Sequence, residues 1–205
     1  MRKQVPVVVL IACLLLPSSA SGVGMMERLA EKIVRRSDSY DQKMRKIEDW
    51  VRENIEYVPD RELYGRDEAS YHPSVTIRKG KADCEDGALL TQSLAAYAGI
   101  PLENIRTIIG MIQVGGKRSG HAWTLYKREQ DGAWVVVDWT RKTKAQSMSR
   151  RPPLFLAPIY REYQILAYVF IRAKRPFRAS YVQVTGDVPI SGLGTPGELD
   201  RLLAR

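Results

Sequence analysis

Apolar residues in this chain recur at helical spacing as far as about residue 98 and at strand spacing beyond it, which orders the fold as helices first and sheet second. Met26–Val34 and Met44–Ile55 carry the helical period, the second through Met44, Ile47, Val51 and Ile55. A third helix is predicted over Cys84–Ala98, where Cys84, Ala88, Thr91, Ala95 and Ala98 form a stripe of small residues, and Gly99 followed by Ile100-Pro101 stops it. Between the second and third helices, residues 57–82 hold Pro59, Gly65, Pro73 and Gly80 among many charges and read as a long ordered loop. Strand-like runs follow at Ile105–Val114, His121–Tyr126, Trp134–Trp139, Gln164–Ile171 and Ser180–Val184. The tail from Thr185 to Gly197 is rich in Gly and Pro, and a short last helix is expected in Glu198–Ala204. The class is α+β, with helices packed on a mostly antiparallel β-sheet and no repeat or domain boundary within it.

The first twenty residues look like an export signal. Arg2 and Lys3 precede an apolar run from Val5 to Leu16, which is short for a bilayer span and ends in the small-residue pattern Pro17-Ser18-Ser19-Ala20. Cleavage near Ala20 leaves residues 21–205 as one periplasmic or secreted domain with no transmembrane span. Leu10-Ile11-Ala12-Cys13 offers a second reading, a lipoprotein anchored at Cys13. The 205-residue chain has a formal charge of +9, and residues 141–178 hold ten basic residues against the single acid Glu162. Such a segment is a solvated basic face or a surface for anionic lipid, cell-wall polymer or an acidic protein. Nucleic acid is excluded as a partner by export and by the lack of any aromatic-interleaved binding module.

With Cys13 lost to processing, Cys84 has no disulfide partner in the chain, so it is an inert buried thiol, an intermolecular crosslink or a nucleophile. Asp83 is a natural N-cap and Asp86 stands at the capping-box position, which puts Cys84 in the first turn of its helix. There the helix dipole lowers a thiol pKa, and free backbone N–H groups can stabilise an oxyanion. The candidate partners come from the strands. If His121–Tyr126 and Trp134–Trp139 form a hairpin with a four-residue loop at Arg128–Asp131, Lys127 pairs with Gly132 and His121 falls directly opposite Asp138. Side chains opposite one another have Cβ atoms about 4.5–5.5 Å apart, within reach of a carboxylate–imidazole hydrogen bond. The roles that follow are Cys84 as nucleophile, His121 as base and then acid, and Asp138 as orienter. His72, in the loop before Cys84, is a spare histidine, and Tyr57, Tyr64 and Tyr71 are candidate oxyanion donors.

The acids around the thiol oppose this chemistry. Asp83, Glu85 and Asp86 should raise the thiol pKa unless they turn toward Arg78, Lys79 and Lys81 or are neutralised by a cation. Clustered hard oxygen ligands suit calcium, whereas capping acids need no metal.

Three motifs resemble, in chain order, the core of the transglutaminase-like superfamily: Asp83-Cys84-Glu85-Asp86, His121-Ala122-Trp123, and Trp134-Val135-Val136-Val137-Asp138-Trp139-Thr140. Ile47–Tyr57 is similar to the helix and loop that precede the cysteine motif there, so the resemblance spans roughly residues 44–140. It implies a papain/transglutaminase-like fold, a Cys84–His121–Asp138 triad and a thioester acyl-enzyme that needs no cofactor for the chemistry. The acidic flanks resemble the bacterial transglutaminase-like cysteine proteinases, which include periplasmic calcium-dependent enzymes that clip surface adhesins. That branch implies a cysteine peptidase acting on a protein or peptide, with Asp83, Glu85 and Asp86 as calcium ligands. The sequence departs from it at Gly87, where the adhesin-clipping members carry an aromatic. An amine acceptor in place of water would give protein crosslinking instead, and a binding module of the same fold is the non-enzymatic reading.

Overall fold

The structure is a computed structural model that describes residues 20–65, 70–114, 117–141, 146–152, 164–174, 177–189 and 196–203. The export signal up to residue 19, its Cys13 alternative and residues 142–145, 153–163 and 175–176 of the basic segment lie outside the described residues. Two helices come first, α1 over Ala20–Ile33 and α2 over Tyr40–Asn54. A capping box opens α2: Ser39 Oγ accepts the Gln42 amide at 3.2 Å, and Gln42 Oε1 accepts the Ser39 amide at 3.0 Å. The predicted apolar stripe of α2 is the buried one, since Met44, Ile47 and Val51 are all fully enclosed.

Residues 57–82, expected as a long ordered loop, contain regular elements. They hold α3 over Asp60–Tyr64, α4 over Pro73–Lys79, and two short strands, β1 (Glu56–Tyr57) and β2 (Lys81–Ala82), that pair in parallel. The Pro and Gly residues that suggested a loop are the punctuation of these helices. Pro59 and Pro73 stand at helix starts, where a missing N–H costs nothing, and Gly65 (φ 69°) and Gly80 (φ 64°) close them in the left-handed region.

The third predicted helix is α5, Cys84–Tyr97, and it is the centre of the molecule. From Asp86 to Ala96 every residue is buried, because α5 packs on α1, α2 and α4 on one side and on the sheet on the other. That sheet comprises β3 (Ile105–Val114), β4 (Lys117–Lys127), β5 (Trp134–Val137), β6 (Gln164–Lys174) and β7 (Phe177–Pro189), in the antiparallel order β5-β4-β3-β6-β7. A polar seam joins α5 to it: Thr107 Oγ1 donates to Gln92 Oε1 at 2.8 Å, and Thr124 Oγ1 donates to the Ala88 carbonyl at 3.3 Å.

Both faces of the sheet are covered, which accounts for the unbroken apolar run of β5. Val135 and Val137 join the core under the helices, together with Ile105, Tyr126, Leu90 and Leu94. Trp134 and Val136 join a second core with Ile108, Trp123, Leu125 and Ile165, closed by Leu199 and Leu203 of the last helix, α6 (Pro196–Leu203). That helix, expected at Glu198–Ala204, is pinned by Asp200, which accepts from Lys127 Nζ at 2.9 Å and from Trp134 Nε1 at 2.8 Å. Among the described residues no helix is long and apolar enough to cross a membrane.

Candidate active site

Cys84 occupies the first position of α5, as its neighbours dictate. Gly80 ends α4, and β2 runs extended to Asp83, whose side chain accepts the Asp86 amide at 3.4 Å as the N-cap. The thiol donates to Glu85 Oε2 at 3.4 Å, a bond that does not run to the His121 ring. Burial pushes the thiol well above its usual pKa, and the Glu85 and Asp83 charges push it further, while the Ala122 amide pulls it back.

His121 and Asp138 meet, though not through the predicted register. Lys127 pairs with Trp134 rather than Gly132, because the turn runs from Arg128 to Ala133 and closes with Gly132 at φ 68°. The pairing therefore slips by two residues, and Asp138 stands diagonally from His121, just past the end of β5. Side chains alternate with a period of two, so this slip keeps both residues on one face. Diagonal neighbours remain within reach of long side chains, and His121 Nε2 lies 3.0 Å from Asp138 Oδ2. The other oxygen, Oδ1, accepts from the Thr140 amide at 3.1 Å and from Thr140 Oγ1 at 2.8 Å, which fixes the carboxylate plane. Burial pushes the Asp138 carboxyl up, but the hydrogen bond and charge of His121, aided by Thr140, outweigh it and hold the group below its ordinary 3.8. His121 shares its face with Trp123, whose ring centroid is 6.0 Å away.

The acids sort differently from the sequence reading. Asp83, Cys84 and Glu85 form one group of ligand-type atoms, and Asp60, Asp83 and Asp86 form another within 4.8 Å of one another. Asp60, at the start of α3, was not singled out in the sequence; it is 2% exposed, and Asp86 is fully buried. Lys79 and Lys81 do not supply the counter-charge: Lys79 Nζ sits 4.0 Å from the Tyr64 ring centroid, and Lys81 Nζ is 3.1 Å from Glu56. Burial is the largest cause that raises each acid, Asp83 to about 9 with its hydrogen bond to Glu85 adding to it, Glu85 to about 7 and Asp86 to about 7. Asp86 is held in place by the Tyr71 amide at 2.9 Å and the Tyr64 hydroxyl at 3.4 Å.

Those contacts commit Tyr64 and the Tyr71 backbone to Asp86 and leave Tyr57 as the tyrosine with an open aspect. Tyr57 is 51% exposed, and burial of its phenol, with the charges of Cys84, Asp83 and Glu85, pushes it up to about 12, so it keeps its proton at neutral pH. His72 has a local task as the N-cap of α4, accepting the Ser74 amide at 3.2 Å.

One contact ties the two halves of the site. The Trp139 indole Nε1 donates to the Cys84 carbonyl at 3.2 Å, and its ring lies over Gly87, where a Cβ would stand 2.1 Å from Trp139 Cε2. Tyr57 flanks the same indole at a centroid distance of 6.0 Å.

With this geometry in view, the family model described as the transglutaminase-like superfamily matches residues 27–139, more than half of the chain. The chain belongs to the transglutaminase-like superfamily. Its fold agrees with that of solved structures: Legionella pneumophila LapG aligns at a TM-score of 0.53 and 16% identity, over 93% of this chain and 99% of that one. An EGTA-treated LapG structure aligns at 0.51 and 15% identity, over 92% and all of that chain. A candidate cysteine protease from Cytophaga hutchinsonii aligns at 0.46 and 25% identity, over 62% of this chain and 41% of that one. No curated protein sequence matches the chain. For a transglutaminase-like chain, the glycine at position 87 has a local cause: the volume that an aromatic at 87 would need is taken by Trp139.

Proposed function

We propose that this transglutaminase-like protein is an exported cysteine peptidase or amide hydrolase. The Cys84 sulfur, its proton passed to His121, bonds to the substrate's carbonyl carbon, the C–N bond breaks, and His121 gives the proton to the departing amine. Water, deprotonated by His121, then hydrolyses the thioester and restores the thiol. Asp138 holds the imidazole in orientation and stabilises its charged form. The Cys84 amide at the head of α5 and the protonated Tyr57 phenol are the donors available to the oxyanion.

The observation that carries this reading is the His121 Nε2–Asp138 Oδ2 bond of 3.0 Å, with Thr140 fixing the second carboxylate oxygen. A carboxylate–imidazole pair at one edge of the sheet, beside a thiol at the start of the helix packed on that sheet, supports nucleophilic catalysis. The thiol's bond to Glu85 belongs to its neutral, resting form, and such contacts rearrange when substrate binds. Export rests on the Arg2–Ala20 pattern, and a periplasmic or surface protein is the natural substrate for an exported hydrolase.

Calcium fits the acid cluster. Three buried carboxylates with converging oxygens are what a hard cation relieves, and their grouping favours Asp60, Asp83 and Asp86 over Asp83, Glu85 and Asp86. Bound calcium would supply positive charge against these carboxylates, while the proton transfers remain with Cys84 and His121.

The deciding experiment is labelling of the mature protein with a thiol-directed activity probe, beside hydrolysis of a peptide library by wild type, Cys84→Ala and His121→Ala. Loss of both signals in either variant is expected. Hydrolysis that persists in Cys84→Ala overturns the reading, and incorporation of a labelled amine in preference to water redirects it to crosslinking.

A further inference from the structure

Alternation along β4 turns Ala122, Thr124 and Tyr126 toward α5 and sets His121 with Trp123 on the opposite face. The helix that carries Cys84 therefore packs on the face of β4 opposite the His121 side chain, and the relation of thiol to imidazole is set at the edge of the sheet. That edge is the end of β5. There two consecutive residues reach in opposite directions: Asp138 toward His121 and Trp139 toward the first turn of α5.

We propose that Trp139 is a positioning residue that sets the distance between the Cys84 helix and the Asp138–His121 pair, with Gly87 kept small to admit it. This rests on Cys84, His121 and Asp138 being the reacting set. Three observations converge on it. The indole donates to the carbonyl of Cys84 itself, so the link goes to the nucleophile's own peptide unit. The ring is 3% exposed and lies so close that a methyl group at 87 would meet Cε2, Nε1 and Cζ2 at 2.1–2.4 Å, leaving the indole no freedom to slide along the helix. Finally, Thr140 and the turn bond from the Arg141 amide to the Asp138 carbonyl fix the backbone that carries both side chains, so a shift of Trp139 is passed to Asp138. Misplacement of reacting groups by about 1 Å can cost as much as a hundredfold in rate.

The test compares wild type with Trp139→Phe, which keeps a ring and removes the donor; with Gly87→Ala, which displaces the ring; and with the double variant, where the smaller ring leaves room for the methyl. Ser39→Ala, a remote capping variant, calibrates the effect of lost stability alone. The readouts are Tm, the second-order rate of Cys84 alkylation by iodoacetamide at one fixed pH, and kcat and KM on a cleaved peptide. Trp139→Phe is expected to slow alkylation and lower kcat by about ten- to a hundredfold with KM within about twofold. The double variant is expected to lose less than the product of the single losses. Alkylation and kcat that fall no further than in Ser39→Ala, or strictly multiplicative losses, overturn the proposal; should Gly87→Ala not fold, Trp139→Phe decides alone. If no peptide is cleaved by wild type while alkylation responds as expected, the hydrolase reading fails and the positioning role stands. If alkylation does not respond, the positioning role fails whatever the hydrolysis shows.

Discussion

Arg151 reaches back across the chain to Glu48, a carboxylate on α2 that is only 2% exposed, and binds it through both terminal nitrogens. The same guanidinium donates to the Val136 carbonyl at 2.7 Å, so the segment after the Asp138 corner is tied at once to α2 and to β5. Burial raises the Glu48 pKa against the opposing pull of Arg151, which means that the ion pair is what makes the charge tolerable there. Arg151→Met should therefore cost up to about 3–5 kcal/mol in denaturant unfolding, because it leaves a buried charge with only the longer 3.6 Å contact to Arg52. A Glu48→Gln/Arg151→Met double variant should recover much of that loss, and equal losses in the single and double variants would show that the charge is not the cause.

Acid should loosen the site through Asp138. Its folded pKa lies below 3.8, so its contribution to stability is fully present above the unfolded value and is lost as pH falls through the folded one. Melting curves taken from neutral pH to about pH 3 should fall more steeply in wild type than in Asp138→Asn, which has no proton to take up at that position. Parallel curves would mean that the His121 bond does not depress this carboxyl.

Calcium should raise the wild-type Tm, and a chelator should reverse the shift. A ligand present at a hundred times its Kd stabilises by about 2.7 kcal/mol. Asp60→Asn should remove most of that effect, whereas Glu85→Gln should keep more of it, since Glu85 lies outside the Asp60–Asp83–Asp86 group. A full calcium response in Asp60→Asn would return the ligand set to the three acids adjacent in sequence.

The far side of the sheet offers a separate check. Asp200→Ala removes the acceptor of the Trp134 indole, a side chain 4% exposed, and of Lys127 Nζ. An unpaired buried donor costs about 1–3 kcal/mol. Asp200→Ala should show that loss in chemical unfolding, and Asp200→Asn, which keeps an acceptor, should show less.

Periodicity made α2, α5 and the strands legible, because each buries a face whose spacing the apolar residues must follow. The hairpin shows how far such reading goes. The loop is two residues longer than the hairpin pattern predicts, yet His121 and Asp138 still share a face, since an even slip leaves the alternation intact. A slip of one would have separated them. Residues 57–82 hide their helices from such a pattern for the opposite reason: Pro59, Gly65, Pro73 and Gly80 punctuate helices too short to display a period. The Ser39–Gln42 capping box places the start of α2 four residues earlier than its apolar stripe does. Asp60 and Trp139 could not be found by spacing along the chain. Each acts through a contact with α5, more than twenty residues away for Asp60 and more than fifty for Trp139, that only the packing creates.

A helix enclosed from Asp86 to Ala96 cannot tilt without unpacking three other helices and the sheet. Cys84 is therefore mounted on the stiffest part of the molecule, and accommodation of an incoming chain falls to its surroundings. The part best suited to yield is the 56–65 stretch: a two-residue strand, a five-residue helix and the half-exposed Tyr57. Changes of selectivity among relatives of this chain should accordingly accumulate in that rim, while the helix beneath the thiol stays as it is.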